Sequence, residues 1–455
     1  MDRRKFLANA GLAAGAIMMS PLAGLGSQPG KTNPSNRKKL KLGVVGTGIR
    51  GVMLFGRELL RDFGDHVELV GMMDVNPGRL RFAEGFVGAG CPVFTDLREM
   101  IRKQKPEALI IASNDSVHHE AIVTGMEMGC DIICEKPLTT DEHKAQAIID
   151  VQQRTGRKMV VSFNYRYPPY RAKMKELIMD GLVGQINTVD FHWNINHSHL
   201  NRYMQRWHGE MQHSGSLWIH KSSHHFDLIN WYLNSEPQQV YAHSYLDRFG
   251  RRGPFRGNNC RDCQHTTKCP YYWDILQQPL LKGLYVDNEH YDGYIRDNCV
   301  FRRNIDTFER HSAVIKYMNG VMVNYSLTGD TDFDGYWVAF NGTKGRLEAR
   351  LEGYPVKDYA EMVFTPIERF TDRKPQIFRV DLVDDGYWGG DAIMMNHLLV
   401  NPDKPDPLGQ KAFLRDGIMS VLPGIAARRS ALTGKPVDIK GLTSLEPQAV
   451  RPAQT

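Results

Sequence analysis

Three groups of residues in this chain have the types and spacing that chemistry requires. The first is Gly46-Thr47-Gly48-Ile49-Arg50-Gly51, directly behind the apolar run Lys41–Val45 and at the head of a helical pattern. Glycines there let the backbone approach a pyrophosphate at a helix N-terminus, so in this strand–turn–helix context the motif reads as a dinucleotide site. Asp74 ends the next strand, about 20 residues on, where a carboxylate hydrogen-bonds both ribose hydroxyls and repels a 2′-phosphate. NAD is therefore favoured over NADP, although Arg79 is a residue that accommodates such a phosphate. The second group is His220 and His224, with Asp227 near the same helical face. Two neutral imidazoles there can bracket a hydroxyl and take its proton. The same spacing also suits a metal ion, and either ring can equally be a satisfied structural histidine. Lys221 and His225 point elsewhere on that helix. The third group is Cys260-x2-Cys263-x5-Cys269 with Cys299 thirty residues later. This is a four-ligand set of zinc type, which an oxidising compartment turns into two disulfides. Both readings are structural; a redox-active pair is the remaining one. Cys91, Cys130 and Cys134 read as buried thiols.

The elements that must position these residues alternate in the first half of the chain. Apolar strands at 41–45, 67–73, 92–94, 108–112, 131–134 and 158–163 are separated by helical patterns at 51–63, 78–86, 96–103, 118–128 and 141–154. That rhythm predicts an α/β fold with a doubly wound parallel sheet over residues 38–163. Beyond Asn164 the pattern changes. A helix at 170–180 is followed by β-rich stretches near 185–196, 239–247, 312–327 and 336–349, and by a last helix at 414–432. Residues 164–440 therefore read as a second, α+β domain with a mainly antiparallel, open-faced sheet. Residues 248–310, rich in Gly, Asn, Cys and charge, read as an insertion, and 441–455 as a tail. Trp193, Trp207, Trp218, Trp231, Tyr165 and Tyr167 fall in or near the expected cleft, where aromatic faces stack on sugar C–H surfaces or simply fill core.

Composition sets outer limits. With 42% apolar and 24% charged residues the chain has ordinary globular composition. The formal charge is +6, of which Asp2, Arg3, Arg4 and Lys5 supply +2. The remainder is too mild and dispersed for a nucleic-acid partner. No run of about 18 uncharged apolar residues predicts a membrane span. Residues 1–37 read as a signal peptide and flexible linker, and Arg3-Arg4-x-Phe6-Leu7 is of the twin-arginine type. An exported, periplasmic protein is the expectation.

Glu135-Lys136-Pro137 follows the fifth strand. Together with the Gly motif it closely resembles the glucose–fructose oxidoreductase / inositol dehydrogenase / rhizopine catabolism (Gfo/Idh/MocA) family of NAD(P)-dependent enzymes. Ser113–His118, Tyr165-Arg166-Tyr167-Pro168, Gly181–Ile186, Ser214–Asp227, Asn341–Gly345 and Gly434–Val437 resemble further landmarks of that family. The resemblance covers roughly residues 38–440 apart from the Cys-rich insertion. It implies that Gly46, Gly48, Ile49, Arg50, Gly51, Asp74, Ser113, Asn114, His118, Glu135, Lys136 and Asn164 surround the cofactor. It implies Lys136, His224 and His220 as catalytic residues, and Lys136, Tyr165, Arg166, His220, His224 and Asp227 around the substrate. Lys136 would hydrogen-bond the hydroxyl that becomes a carbonyl, since a desolvated lysine exchanges a proton near neutrality. The sequence departs from the family at one point: His220 stands where an Asp usually precedes the His by four residues.

The resemblance further implies a small sugar, polyol or glycoside as substrate, and a homo-oligomer, dimer or tetramer. Free NAD is scarce outside the cytoplasm, so an exported enzyme of this kind is expected to carry its cofactor and reset it at each turnover. Oxidation of one sugar with reduction of another does that, including 3-keto-glycoside formation. Transient oxidation followed by elimination of a glycosidic bond does so too, as in the NAD-dependent α-N-acetylgalactosaminidases. A non-catalytic sugar or nucleotide sensor is the third expectation.

Overall fold

The computed structural model describes residues 38–352, 358–367, 374–383 and 386–452. The leader read at residues 1–37 lies outside them. Six strands form the first sheet: Leu40–Val45 (β1), Val67–Met73 (β2), Val93–Phe94 (β3), Ala108–Ile111 (β4), Asp131–Cys134 (β5) and Met159–Val161 (β6). They lie in the order β3-β2-β1-β4-β5-β6 and every pairing is parallel. Strand β4, Ala-Leu-Ile-Ile, is buried at every position, as a strand covered on both faces must be. The order reverses between β1 and β4, which opens a crevice at the carboxyl ends of the strands.

Local chemistry fixes the helices around that crevice. Asn76 caps Pro77–Val87 by accepting from the N–H groups of Gly78 and Arg79, and Gly88 ends it at φ 67°. Asp141 caps Glu142–Thr155 in the same way. The turn after β1 continues as three helical pieces, Ile49–Val52, Met53–Glu58 and Leu59–Phe63, the middle one wound as a π-helix. Such irregularities concentrate at functional sites.

The second sheet has nine strands: Ile186–Asn196 (β7), Pro237–Tyr245 (β8), Arg310–Tyr317 (β9), Met322–Thr331 (β10), Gly335–Gly342 (β11), Gly345–Glu352 (β12), Tyr359–Pro366 (β13), Gln376–Asp381 (β14) and Val437–Asp438 (β15). Their order is β14-β13-β12-β11-β7-β10-β9-β8-β15, and only β7 and β10 pair in parallel. Burial alternates residue by residue along β9, so one face meets the core and the other faces outward. Helices Ser222–Leu233 and Leu414–Thr433 cover the inner face. The stretches at 312–327 and 336–349 each resolve into two antiparallel strands. Residues Lys39 onward form one compact unit. One apolar core runs from Val45 through Phe191 to Ile439 and a second gathers Leu42, Phe55, Leu284 and Met395, while the backbone of Val161 on β6 donates to Ala412 at 2.8 Å. The C-terminal residues pack down too: Arg451 pairs with Asp416 at 2.7 Å. No helix among the described residues is long and apolar enough to cross a membrane.

The insertion does not stand apart from the first sheet. Its helix Pro279–Leu284 and the turn Val286–Tyr291 lie against Pro77–Val87. Its four cysteines line one small cavity of about 20 Å³ with Phe255, Tyr271 and Val300. The sulfurs accept N–H groups: Cys263 from His265 (3.4 Å), Cys299 from Gly257 (3.5 Å) and Phe301 (3.4 Å), and Cys260 from the Gln205 amide (3.4 Å). No cysteine sulfur is bonded to another in this structure. Among the described residues no three His, Cys, Asp or Glu side chains are arranged to hold a metal ion, neither the cysteines nor His220 and His224.

Candidate active site

The crevice begins at the Gly motif. Gly46 has φ +97°, and a Cβ there would lie 2.7 Å from the carbonyl of Ala112 and the amide of Ser113. A Cβ on Gly51 would meet the Gly46 carbonyl at 2.0 Å. Both positions need glycine, because the turn packs backbone against backbone at the head of a helix. Ser113 Oγ, Asn164 Oδ1 and His224 Nδ1 are buried with no partner. A buried unsatisfied polar atom costs about 1–3 kcal/mol, so such atoms near a crevice mark where a ligand completes the site. Cradle and orphaned atoms together fit a nicotinamide dinucleotide, with Gly46–Gly51 to hold its pyrophosphate.

The other cofactor candidates are engaged by the protein itself. Asp74 Oδ2 accepts from Thr47 N (2.8 Å) and Thr47 Oγ1 (3.1 Å), and its Oδ1 from Asn76 N (2.9 Å) and Arg79 Nη2 (2.9 Å). Its four lone-pair directions are taken, so a ribose hydroxyl must replace one of these donors. Ile49 N donates to the Tyr285 hydroxyl at 2.8 Å. Arg50 spans the site: Nε donates to Glu135 (2.7 Å) and both Nη atoms to Asp391 (2.8 Å each). Although burial pulls it down, Glu135 and Asp391 hold its guanidinium well above the ordinary range. Asn164 Nδ2 donates to the same Asp391 at 2.9 Å. His118 has its ring nitrogens at the carbonyls of Pro137 (2.9 Å) and Ser113 (3.2 Å), and Asn114 Oδ1 caps Ser116 N at 3.1 Å. His118 and Asn114 thus brace the loops on which Ser113 and Lys136 sit.

Lys136 lies at the end of β5, and its Nζ donates to the His220 carbonyl at 3.1 Å. Burial draws its ammonium down to about 8, against the pull of Asp115. Burial, and then the charge of Lys136, push both His220 and His224 well below their ordinary range, so both rings are neutral near pH 7. His220 Nδ1 lies 2.6 Å from Asp115 Oδ2. Burial drives the Asp115 carboxyl well up against the pull of Lys136. The carboxylate that the Asp-to-His departure at position 220 removes from the helix is thus replaced from the loop after β4. His224 faces another way, stacked on Tyr165 at 3.9 Å with the rings 10° from parallel. The chain steps from Leu217–His220 to Ser222–Leu233 at Lys221, and the two imidazoles have separate surroundings.

Three sequence readings change here. Arg166 and Asp227 do not face a substrate. They are 0% and 1% exposed, joined by bonds of 2.9 and 2.5 Å, and Arg166 also donates to the carbonyls of Gly409 and Lys411. With Asp416 at 3.3 Å the guanidinium is saturated, so this is a buried brace between Asn164–Arg166 and Ser222–Leu233. Lys221, in contrast, does reach the site. Its Nζ donates to the Tyr165 hydroxyl at 3.2 Å and lies 4.7 Å above Trp193, and burial draws it down to about 8. Trp218 and Trp231 are fully buried core. His225 points elsewhere, its Nδ1 2.8 Å from the Tyr325 hydroxyl.

Four neighbours had no assigned role in the sequence: Asp115, Asp391, His208 and Tyr387. His208 stacks on Trp207 at 3.6 Å and meets His220 edge-on at 4.2 Å. Tyr387 lies 5.8 Å from Tyr165 and beside Arg50, with Tyr387 and Trp388 both held at positive φ (55° and 57°). Two bulky residues in that region are outliers of the kind held at functional sites. They precede Gly389-Gly390, the one local sign in the sequence of a strained turn.

Comparison with known proteins agrees with this arrangement. Residues 40–163 match the model of the oxidoreductase family, NAD-binding Rossmann fold, and residues 175–439 its C-terminal alpha/beta domain. YteT of Bacillus subtilis, named as an oxidoreductase, is 30% identical over 88% of this chain and 98% of its own length. Inositol 2-dehydrogenase of Rubrobacter xylanophilus is 30% identical over 45% of this chain, a match that spans 55% of that enzyme. Among solved structures, levoglucosan dehydrogenase in complex with NADH and levoglucosan superposes with a TM-score of 0.65 at 18% identity, covering 89% of this chain and 100% of the other. That likeness is one of fold.

Proposed function

Because the chain belongs to the Gfo/Idh/MocA oxidoreductase family, we propose that it moves a hydride between a hydroxyl-bearing carbon of a sugar or polyol and a tightly held NAD. The observation that carries this reading is Lys136, its ammonium drawn to about 8, beside the hydrogen-bonded His220–Asp115 pair in the crevice headed by Gly46–Gly51. Bound nicotinamide would supply the hydride chemistry. The chain supplies position and proton transfer. Neutral Lys136 accepts the proton of the reacting hydroxyl at Nζ, and the carboxyl of Asp115 beside it steadies the ammonium that forms. His224, neutral and with Nδ1 free, offers a hydrogen bond to a second hydroxyl. The names of the relatives support the substrate class, since inositol is a polyol and levoglucosan a sugar derivative.

The leader-like residues 2–26 support export to the periplasm, and an exported enzyme keeps its cofactor. The outward face of the nine-stranded sheet supports a homo-oligomer. Purified mature protein, denatured and analysed by mass spectrometry, is expected to release near-stoichiometric NAD(H) and little NADP(H). Protein that releases neither would sink the tight-cofactor reading.

A second reading rests on a specific observation, the second buried amine. After oxidation of a glycoside, loss of the C1 substituent needs a base for the acidified C–H bond, and Lys221 beside Tyr165 is placed to be one. In heavy water such a cycle puts deuterium at that carbon while the glycoside is cleaved. Oxidised glycoside with no cleavage and no deuterium leaves the first reading alone.

A further inference from the structure

The inserted segment 285–292 crosses the edge of the nucleotide crevice, and its contacts are with the residues that would meet the adenosine ribose. The Asn288 carbonyl accepts from Asn76 Nδ2 at 2.9 Å. A Cβ on Gly78 would lie 2.0 Å from Asn288 Oδ1, so that position is glycine because the segment presses on it. Tyr291 accepts from Arg81, and Tyr285 from the amide of Ile49. Arg79, the one residue read from the sequence as able to receive a 2′-phosphate, is 8% exposed, and its Nη2 lies between two carboxylates. Asp74 Oδ1 is 2.9 Å away and Asp292 Oδ2 2.6 Å. Asp74 comes from the end of β2; Asp292 comes from the insertion.

We propose that Asp292 is a specificity residue, by which the insertion makes this protein reject NADP and accept NAD. This rests on the dehydrogenase reading above. The argument is one of charge and geometry. A 2′-phosphate brings close to two negative charges and three acceptor oxygens and needs a guanidinium free to donate to them. Arg79 has already given the relevant nitrogen to two carboxylates, and the triad of Asp74, Arg79 and Asp292 is net negative. A phosphate at Arg79 must therefore sit against the charge of Asp292 as well as that of Asp74. An adenosine with a free 2′-hydroxyl meets no such penalty. Asp74 alone would leave Arg79 Nη2 a bond to give; Asp292 takes it and adds a second negative charge.

The test is competitive binding to the purified protein after its resident nucleotide has been dialysed out, followed by energy transfer from tryptophan to NADH, with NADPH as competitor. In the parent protein NADH should bind far more tightly. Asp292→Asn should narrow the NADPH-to-NADH ratio of dissociation constants by about tenfold or more, with NADH affinity almost unchanged. Asp292→Ser, which keeps a small polar contact and removes the same charge, should give the same shift and guards against a variant that fails to fold. If both variants bind NADH and the ratio stays at the parent value, Asp292 sets no specificity, and the dehydrogenase reading stands. If the parent protein neither carries a nucleotide nor binds one, it is the dehydrogenase reading that fails.

Discussion

Lys136→Met should abolish most of the sugar-dependent reduction of bound NAD, by about a thousandfold or more, the range expected when a positioned acid–base group is lost. Absorbance of reduced nicotinamide in a single turnover reads it directly. The cofactor content should stay at the parent level, because Lys136 contacts the His220 carbonyl and not the Gly46–Gly51 turn. The pH dependence follows from the same group. Oxidation of an alcohol needs the neutral amine, and burial draws this ammonium down to about 8. The parent rate should rise with pH up to about 8 and then level; reduction of a ketone, which needs the ammonium, should show the mirror profile. Lys221 also titrates at about 8, so Lys221→Met is the necessary companion. The rising limb should survive in Lys221→Met and vanish in Lys136→Met. A limb that instead follows Lys221 would transfer the proton-accepting role to it.

Asp227→Ala should be the most destabilising single change near the site, by about 3–5 kcal/mol, because it strands a buried arginine rather than removing a favourable pair. Arg166 is 0% exposed and keeps only Asp416 and two carbonyls once Asp227 is gone. Chemical denaturation would show a lower midpoint with an unchanged slope. A double replacement of Arg166 and Asp227 by apolar residues of similar volume should recover much of the loss. A loss of catalysis with unchanged stability would instead return Arg166 and Asp227 to the substrate site.

The first domain was legible because its signals are local. A buried parallel strand is a continuous apolar run, and a Gly-rich turn that ends one and opens a helix has few other uses. The second sheet was legible in outline, yet its outer strands β13, β14 and β15 were not. Gln376–Asp381 lies at an edge with most of its residues exposed, so no apolar alternation marks it. At the site, Lys136 and His224 were readable from motif context. Asp115 was not, because its significance depends on a 2.6 Å contact with a residue 105 positions away. Arg166 and Asp227 misled for the complementary reason. A charged residue on a motif looks functional in sequence, and only the saturation of its hydrogen bonds shows that it holds two elements together. Lys221 misled through helix geometry: the break before Ser222 re-aims its side chain toward Tyr165.

The contacts that close the nucleotide crevice are very distant along the chain. Tyr285 meets Ile49 across 236 positions, and Asp391 meets Arg50 across 341. Closing loops of that length precedes any reward from the contacts they bring, which makes such pairings late events in folding. The Gly46–Gly51 turn and its sheet are synthesised before Tyr285 and Asp391, so the crevice gains its far wall only when the C-terminal half has docked. A nascent N-terminal domain therefore offers an open, weak nucleotide site, and the finished chain a walled one. Cofactor capture becomes a checkpoint on completed folding: a chain that holds its dinucleotide firmly is one whose last strands are already in place.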